Sequence, residues 1–145
     1  MKIKAKTVAL VILASYIGVL CCAALLTRES TSKLLIQTEW FWGYKITDPK
    51  ILYGDNLINI LLYIPIGCLA GLIASKHKLV TAVLVGLFIS ETIECSQLIW
   101  QRGTFDVDDI FNNTVGAFLG GIMVVSVIWI RKKKKEKHPE TPYTE

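Results

Sequence analysis

Between Glu91 and Thr114 the chain reads ETIECSQLIWQRGTFDVDDIFNNT, a run that holds five carboxylates, Arg102, two glutamines and two asparagines. These residue types do acid–base, cation and phosphate chemistry. Glu94 could serve as general acid or base. Asp106 and Asp109, one helical turn apart, are oxygen donors of the kind that hold a hard divalent cation. Arg102 offers the forked guanidinium that grips phosphate. Gln97 and Asn113, with Asn59 earlier in the chain, add amides that could bind a ligand. Yet Glu91–Thr114 is flanked by LVTAVLVGLFIS and VGAFLGGIMVVSVIWI, so these polar groups sit at the edge of two apolar segments.

The elements that must position them follow from composition. Of 145 residues, 52% are hydrophobic, and the mean hydropathy of +0.47 is that of a membrane protein. Four runs, approximately 7–26, 57–74, 79–99 and 110–130, come close to the roughly 20 residues that cross about 30 Å of hydrocarbon as helix. Lipid offers the backbone no partners, so each run must satisfy its own amides and carbonyls. The expected fold is all-α, a bundle of four transmembrane helices. A cleaved signal peptide is the rival reading of the first run; its apolar length and the Cys22-Ala23-Ala24 sequence argue against cleavage. Cys21, Cys22, Cys68 and Cys95 lie inside apolar runs without metal-type spacing and read as small buried hydrophobes.

The net charge of +4 does not point to nucleic acid, because the lysines and arginines flank apolar runs. By the positive-inside rule, Lys2, Lys4 and Lys6, then Lys76 and Lys78, then 131–135 place both termini and the second turn in the cytoplasm. Residues 1–6 form the cytoplasmic N-terminus, 7–130 the membrane domain, and 131–145 a basic tail expected to be disordered. The loops 27–55 and 100–109 then lie outside. The first contains EWFWGYK, whose aromatics suit the headgroup level, and 33–42 is expected to lie on the surface as a short helix.

Helical spacing brings the polar groups together. Glu91, Glu94 and Gln97 follow at steps of three, so they share one drifting face. At about 1.5 Å per residue, Glu94 lies roughly 9 Å inside Trp100 and Glu91 about 13 Å. A charged side chain at the bilayer centre costs about 2.5 to 3.5 kcal/mol, so both should be paired, protonated or facing a wet cavity. Asp106, Asp109, Asn113, Gly116 and Gly120 form a second face, and Asn56, Asn59, Tyr63, Gly67 and Gly71 a third. Each ends in a G-x-x-x-G pair that admits a neighbouring backbone. Packing these faces would gather Asn59, Glu94, Gln97, Arg102, Asp106, Asp109 and Asn113 into one outward pocket. Structural roles compete. Asp109 is placed to cap the fourth helix, Arg102 could pair with Asp106 or a lipid phosphate, Asn59 and Asn113 could bond between helices, and Pro65 should kink the second helix near Leu61.

These residues resemble those of the VanZ-like family of bacterial membrane proteins. The likeness runs from Asn56 to Met123 and is carried by NILLYIPIG at Asn59–Gly67, ECSQ at Glu94–Gln97 and RGTFDVDDIFNNTVGAFLG at Arg102–Gly120. By position the family's polar set falls on Asn59, Glu94, Gln97, Arg102, Asp106, Asp109 and Asn113, while Glu91 is an addition. The resemblance implies action at the cell envelope that lowers susceptibility to teicoplanin and related lipoglycopeptides.

Three functions fit. In the first, the pocket binds a lipid headgroup, a lipid-linked wall precursor or a lipoglycopeptide, with Arg102 on phosphate and no cofactor. In the second, it is an enzyme in which Glu94, Asp106 and Asp109 are catalytic and the aspartates hold a divalent cation; no His cluster or G-x-S-x-G accompanies them. The third is proton relay through Glu91 and Glu94, which four helices could support only as a homo-oligomer.

Overall fold

A computed structural model of the chain describes residues 3–28, 30, 35–39 and 49–137. Among them are four long helices, α1 (Ile3–Leu26), α2 (Pro49–Ile73), α3 (Lys78–Ile99) and α4 (Val107–Lys137), and two short strands, β1 (Ile36–Gln37) and β2 (Phe105–Asp106). All four helices are long and apolar enough to cross a membrane, and the protein is an all-α polytopic membrane protein.

The most intimate pair is α2 with α4. A Cβ placed on Gly67 would collide with the Ala117 carbonyl, one on Gly116 with the Ile60 carbonyl, and one on Gly120 with the Ile64 carbonyl. Backbone therefore meets backbone with no side chain between, the arrangement that small residues permit in lipid, where no hydrophobic effect drives helices together. Gly71 is different, since an added Cβ would meet Val124 at an ordinary 3.6 Å. The core joins Tyr63 and Ile66 of α2 to Ile89 and Ile93 of α3, and α1 lays Leu13 and Leu20 against it. The Tyr16 hydroxyl of α1 donates to the Leu62 carbonyl at 2.9 Å. That bond lies one residue beyond Leu61, whose carbonyl loses its amide partner because Pro65 has none.

Basic groups gather at one end of the bundle. Lys6 donates to Ser75 Oγ at 2.8 Å, tying the start of α1 to the α2–α3 turn. Lys78 reaches back to the carbonyls of Gly71 (3.2 Å) and Ala74, satisfying the open end of α2 with a cation where the helix dipole is negative.

Three expectations are corrected. Residues 131–137 continue α4 and do not begin a disordered tail. Lysine is a good helix former and suits a helix C-terminus, and Lys133 lies 4.9 Å over the Trp129 ring; residues 138–145 lie outside the described residues. The surface helix expected at 33–42 is replaced, where described, by β1, which pairs in parallel with β2 in the register Ile36–Phe105 and Gln37–Asp106. Residues 33, 34 and 40–42 of that expectation lie outside the described residues, as does most of EWFWGYK. Nor are all the cysteines buried: Cys22 and Cys95 are exposed on the bundle surface.

Candidate functional site

The β1–β2 ladder, with an antiparallel bridge between Ser30 and Arg102, stitches the two long connections together at the end opposite the lysines. There Asp106 immediately precedes α4, and its Oδ1 accepts the Asp108 amide at 2.8 Å. Asp106 is thus the N-cap, not Asp109. The Asp106 amide donates to Glu94 Oε2 at 3.0 Å. In a capping box that acceptor comes from the third residue of the same helix; here Glu94 of α3 supplies it from outside. The third residue, Asp109, turns elsewhere. Its Oδ1 accepts from Asn59 Nδ2 at 2.7 Å, and its Oδ2 lies 3.5 Å from Arg28 Nη2. Burial raises the carboxyl pKa of Asp106 above its usual range, with a smaller push from Asp108, against the pull of the Asp108 and Asp109 amides and Arg28.

Beside this junction lies a cavity of about 210 Å³, room for about seven waters at their liquid share of volume. Asn59 and Tyr63 line it from α2, Ile93, Glu94 and Gln97 from α3, and Asp109 and Asn113 from α4. From α1 come Leu20, Ala23 and Ala24, and Thr27 and Arg28 follow at its end. Glu94 is 2% exposed and Gln97 1%. Asn113 Nδ2 donates to Ser90 Oγ at 2.9 Å, but Asn113 Oδ1, Gln97 Oε1 and the Tyr63 hydroxyl are buried without a hydrogen-bond partner. Tyr63 lies beside Ser90 without forming a bond of ordinary geometry. Orphaned polar atoms cost about 1 to 3 kcal/mol each, and these three belong to residues that line one cavity.

Five of the seven residues picked from sequence, Asn59, Glu94, Gln97, Asp109 and Asn113, line the cavity. Asp106 meets the cavity residue Glu94 through its amide and itself lines a separate pocket with Leu35, Ile36 and Gln37. The Arg102 guanidinium donates to the Leu25 carbonyl at 3.2 Å and fastens the strand-bearing loop to α1; it is Arg28 that lines the cavity. Glu91 is exposed on the outer surface of α3, so it does not share the buried face of Glu94 and Gln97. The carboxyl groups of Asp106 and Asp109 bond to different partners. Among the described residues no group of three or more His, Cys, Asp or Glu side chains is placed to hold a metal ion.

Arg28 is not singled out by the sequence because it lies outside the motif-rich stretch from Asn56 to Met123. Its signal was position: a lone arginine just past the first span, at the end where the counting rule places few cations. Gly103 holds a positive φ of 102°, and a Cβ there would fall 2.9 Å from Arg28 Nη1 and 3.3 Å from Gln97 Oε1. Glycine therefore both permits the turn and makes room for the guanidinium. Tyr63 and Ser90 were missed as site groups because single hydroxyls on apolar helices carry no distinctive spacing.

No solved structure matches the chain significantly. A stretch of 68 residues is 34% identical to Protein VanZ of Enterococcus faecium, covering 47% of this chain and 42% of that protein. The chain thus matches less than half the length of that curated relative. The family model described as VanZ/LLP1 matches residues 7–130, which takes in α1, beyond the Asn56–Met123 stretch where the motifs lie. That reach takes in all four long helices, and the chain belongs to the VanZ/LLP1 family.

Proposed function

We propose that this protein acts at the bacterial cell envelope by holding the polar headgroup of a membrane lipid or lipid-linked wall precursor in the Glu94–Asp109–Arg28 cavity, at the outer leaflet. Binding there lowers susceptibility to teicoplanin-type antibiotics, as the family resemblance implies. The observation that carries this reading is the cluster of buried, unpartnered polar atoms of Tyr63, Gln97 and Asn113 on one cavity. Arg28, whose side chain is 38% exposed, stands where a phosphate could reach it.

A lipid is favoured over a soluble ligand by the α1 side. Leu20, Ala23 and Ala24 make that wall apolar. A groove of about 530 Å³ lined by Ser15, Gly18, Val19, Cys22 and Leu26 shares Ala23 and Thr27 with the cavity. Acyl chains lying along α1 would keep the headgroup at the cavity mouth. Binding is favoured over catalysis because two of the three carboxylates of the enzyme reading are engaged in structure, Asp106 as a helix cap and Asp109 with Asn59 and Arg28.

Native mass spectrometry of gently extracted protein tests this, alongside teicoplanin susceptibility of cells expressing the same variants. Wild-type protein and Arg102→Lys should retain lipid, whereas Arg28→Ala should lose it together with protection and Gln97→Leu should hold less of it. Unchanged lipid occupancy and unchanged protection in both cavity variants would sink the reading.

A further inference from the structure

The chemistry of the cavity walls narrows the ligand class, an inference that rests on the headgroup reading above. We infer that the cavity selects headgroups by the hydrogen-bond donors they carry beyond the phosphate, favouring primary amines and hydroxyls over headgroups that have none.

The unmet atoms are mostly acceptors. Gln97 Oε1 and Asn113 Oδ1 are carbonyl oxygens, and the Tyr63 hydroxyl can accept as well as donate. Asn113 has one amide N–H engaged with Ser90 and Asn59 one with Asp109, which leaves each a single donor. Arg28 keeps its N–H fork for a phosphate, and the buried atoms left without a partner lean toward acceptors. Its charge leans the same way, since the carboxyl groups of Glu94 and Asp109 face a single guanidinium, Arg28. A bare phosphate would gain one cation and meet two groups of its own kind. A phosphodiester ending in –NH₃⁺ or –OH places its anion at Arg28 and its donors on the buried carbonyls. A trimethylammonium headgroup carries the same phosphate and no donor, and Tyr63 alone is no aromatic cage for it.

Two hydrogen bonds to otherwise unsatisfied carbonyls amount to roughly a tenfold preference, about 1.4 kcal/mol. The same donors come from glycerophospholipids or from lipid-linked sugars, so the test pairs probes within each source. Delipidated full-length protein is titrated by native mass spectrometry with phosphatidylethanolamine, phosphatidylglycerol and phosphatidylcholine of identical short chains. A second series compares a polyprenyl phosphate with its glucosyl phosphodiester. The expected result is about tenfold tighter binding of the donor-bearing member in at least one series, with the series that responds identifying the source.

Gln97→Met, close in shape but lacking the carbonyl, should bring that ratio to about threefold or less, and its melting temperature serves as the folding control. If Gln97→Met melts early, Tyr63→Phe tests the same loss. Saturable binding that is equal within each pair and lost in Arg28→Ala would overturn the selectivity and leave the headgroup reading standing. Absence of saturable binding to every probe would overturn both.

Discussion

Asp109 joins three elements, and the energies of its two bonds should differ in a way the structure fixes. Asn59 Nδ2 donates to Oδ1 at 2.7 Å in a part-buried setting, a short charge-assisted bond. Such bonds are worth about 1.5 to 3 kcal/mol in soluble proteins, while interhelical hydrogen bonds in membrane proteins average about 0.6 and reach about 1.7. A coupling of about 1 to 2 kcal/mol is therefore expected between Asn59→Ala and Asp109→Ala. Arg28 sits 3.5 Å from Oδ2 with a side chain 38% exposed, and exposed pairs yield about 0.2 to 1 kcal/mol. Double-mutant cycles read from reversible unfolding in mixed micelles, with tryptophan fluorescence as the signal, measure both couplings. An Arg28 coupling equal to or above that of Asn59, or an Asn59 coupling below about 0.3 kcal/mol, would refute this ordering. A larger stability role for Arg28 would also weaken its assignment to ligand, because a residue held for function should matter more to occupancy than to folding.

Other outcomes follow from the same geometry. Gly116→Ala, which forces a methyl into the Ile60 carbonyl, should cost about 1 to 3 kcal/mol, whereas Gly71→Ala, with room for its Cβ, should stabilise by about 0.5 to 1 kcal/mol; equal effects would refute the backbone-contact reading. Glu94→Ala removes the acceptor for the Asp106 amide and should cost about 1 to 3 kcal/mol, while Glu94→Gln keeps an oxygen there and should retain most of that stability in the same unfolding assay. Folding raises the pKa of Asp106, so the folded chain holds that proton more tightly than the unfolded one. Its contribution is fully present below the unfolded value of about 3.9 and is lost as pH rises through the folded value. Asp106→Asn keeps the capping oxygen and should show less decline over that window; an identical pH slope in wild type and variant would exclude Asp106 as its source.

The sequence by itself determined the four spans, because apolar length and backbone self-satisfaction in lipid are local properties. It also determined that Asn59, Glu94, Gln97, Asp109 and Asn113 share one end of the bundle, since helical spacing and glycine pairs fix faces before any packing is known. Tertiary structure alone decided which polar groups meet. Glu91 and Glu94 are three residues apart, yet the angle between them turns one outward and buries the other. Asp109 lost the cap to Asp106 because the helix begins at Val107, with Asp106 Oδ1 on the Asp108 amide and Glu94, twelve positions before Asp106 in the chain, holding the Asp106 amide. Arg28 replaced Arg102 at the cavity because α1 packs against α2 and α3, and no spacing within either segment encodes that approach. A ligand site inside a bundle is made where helices converge, and the atoms left unpartnered there are set by which neighbours arrive.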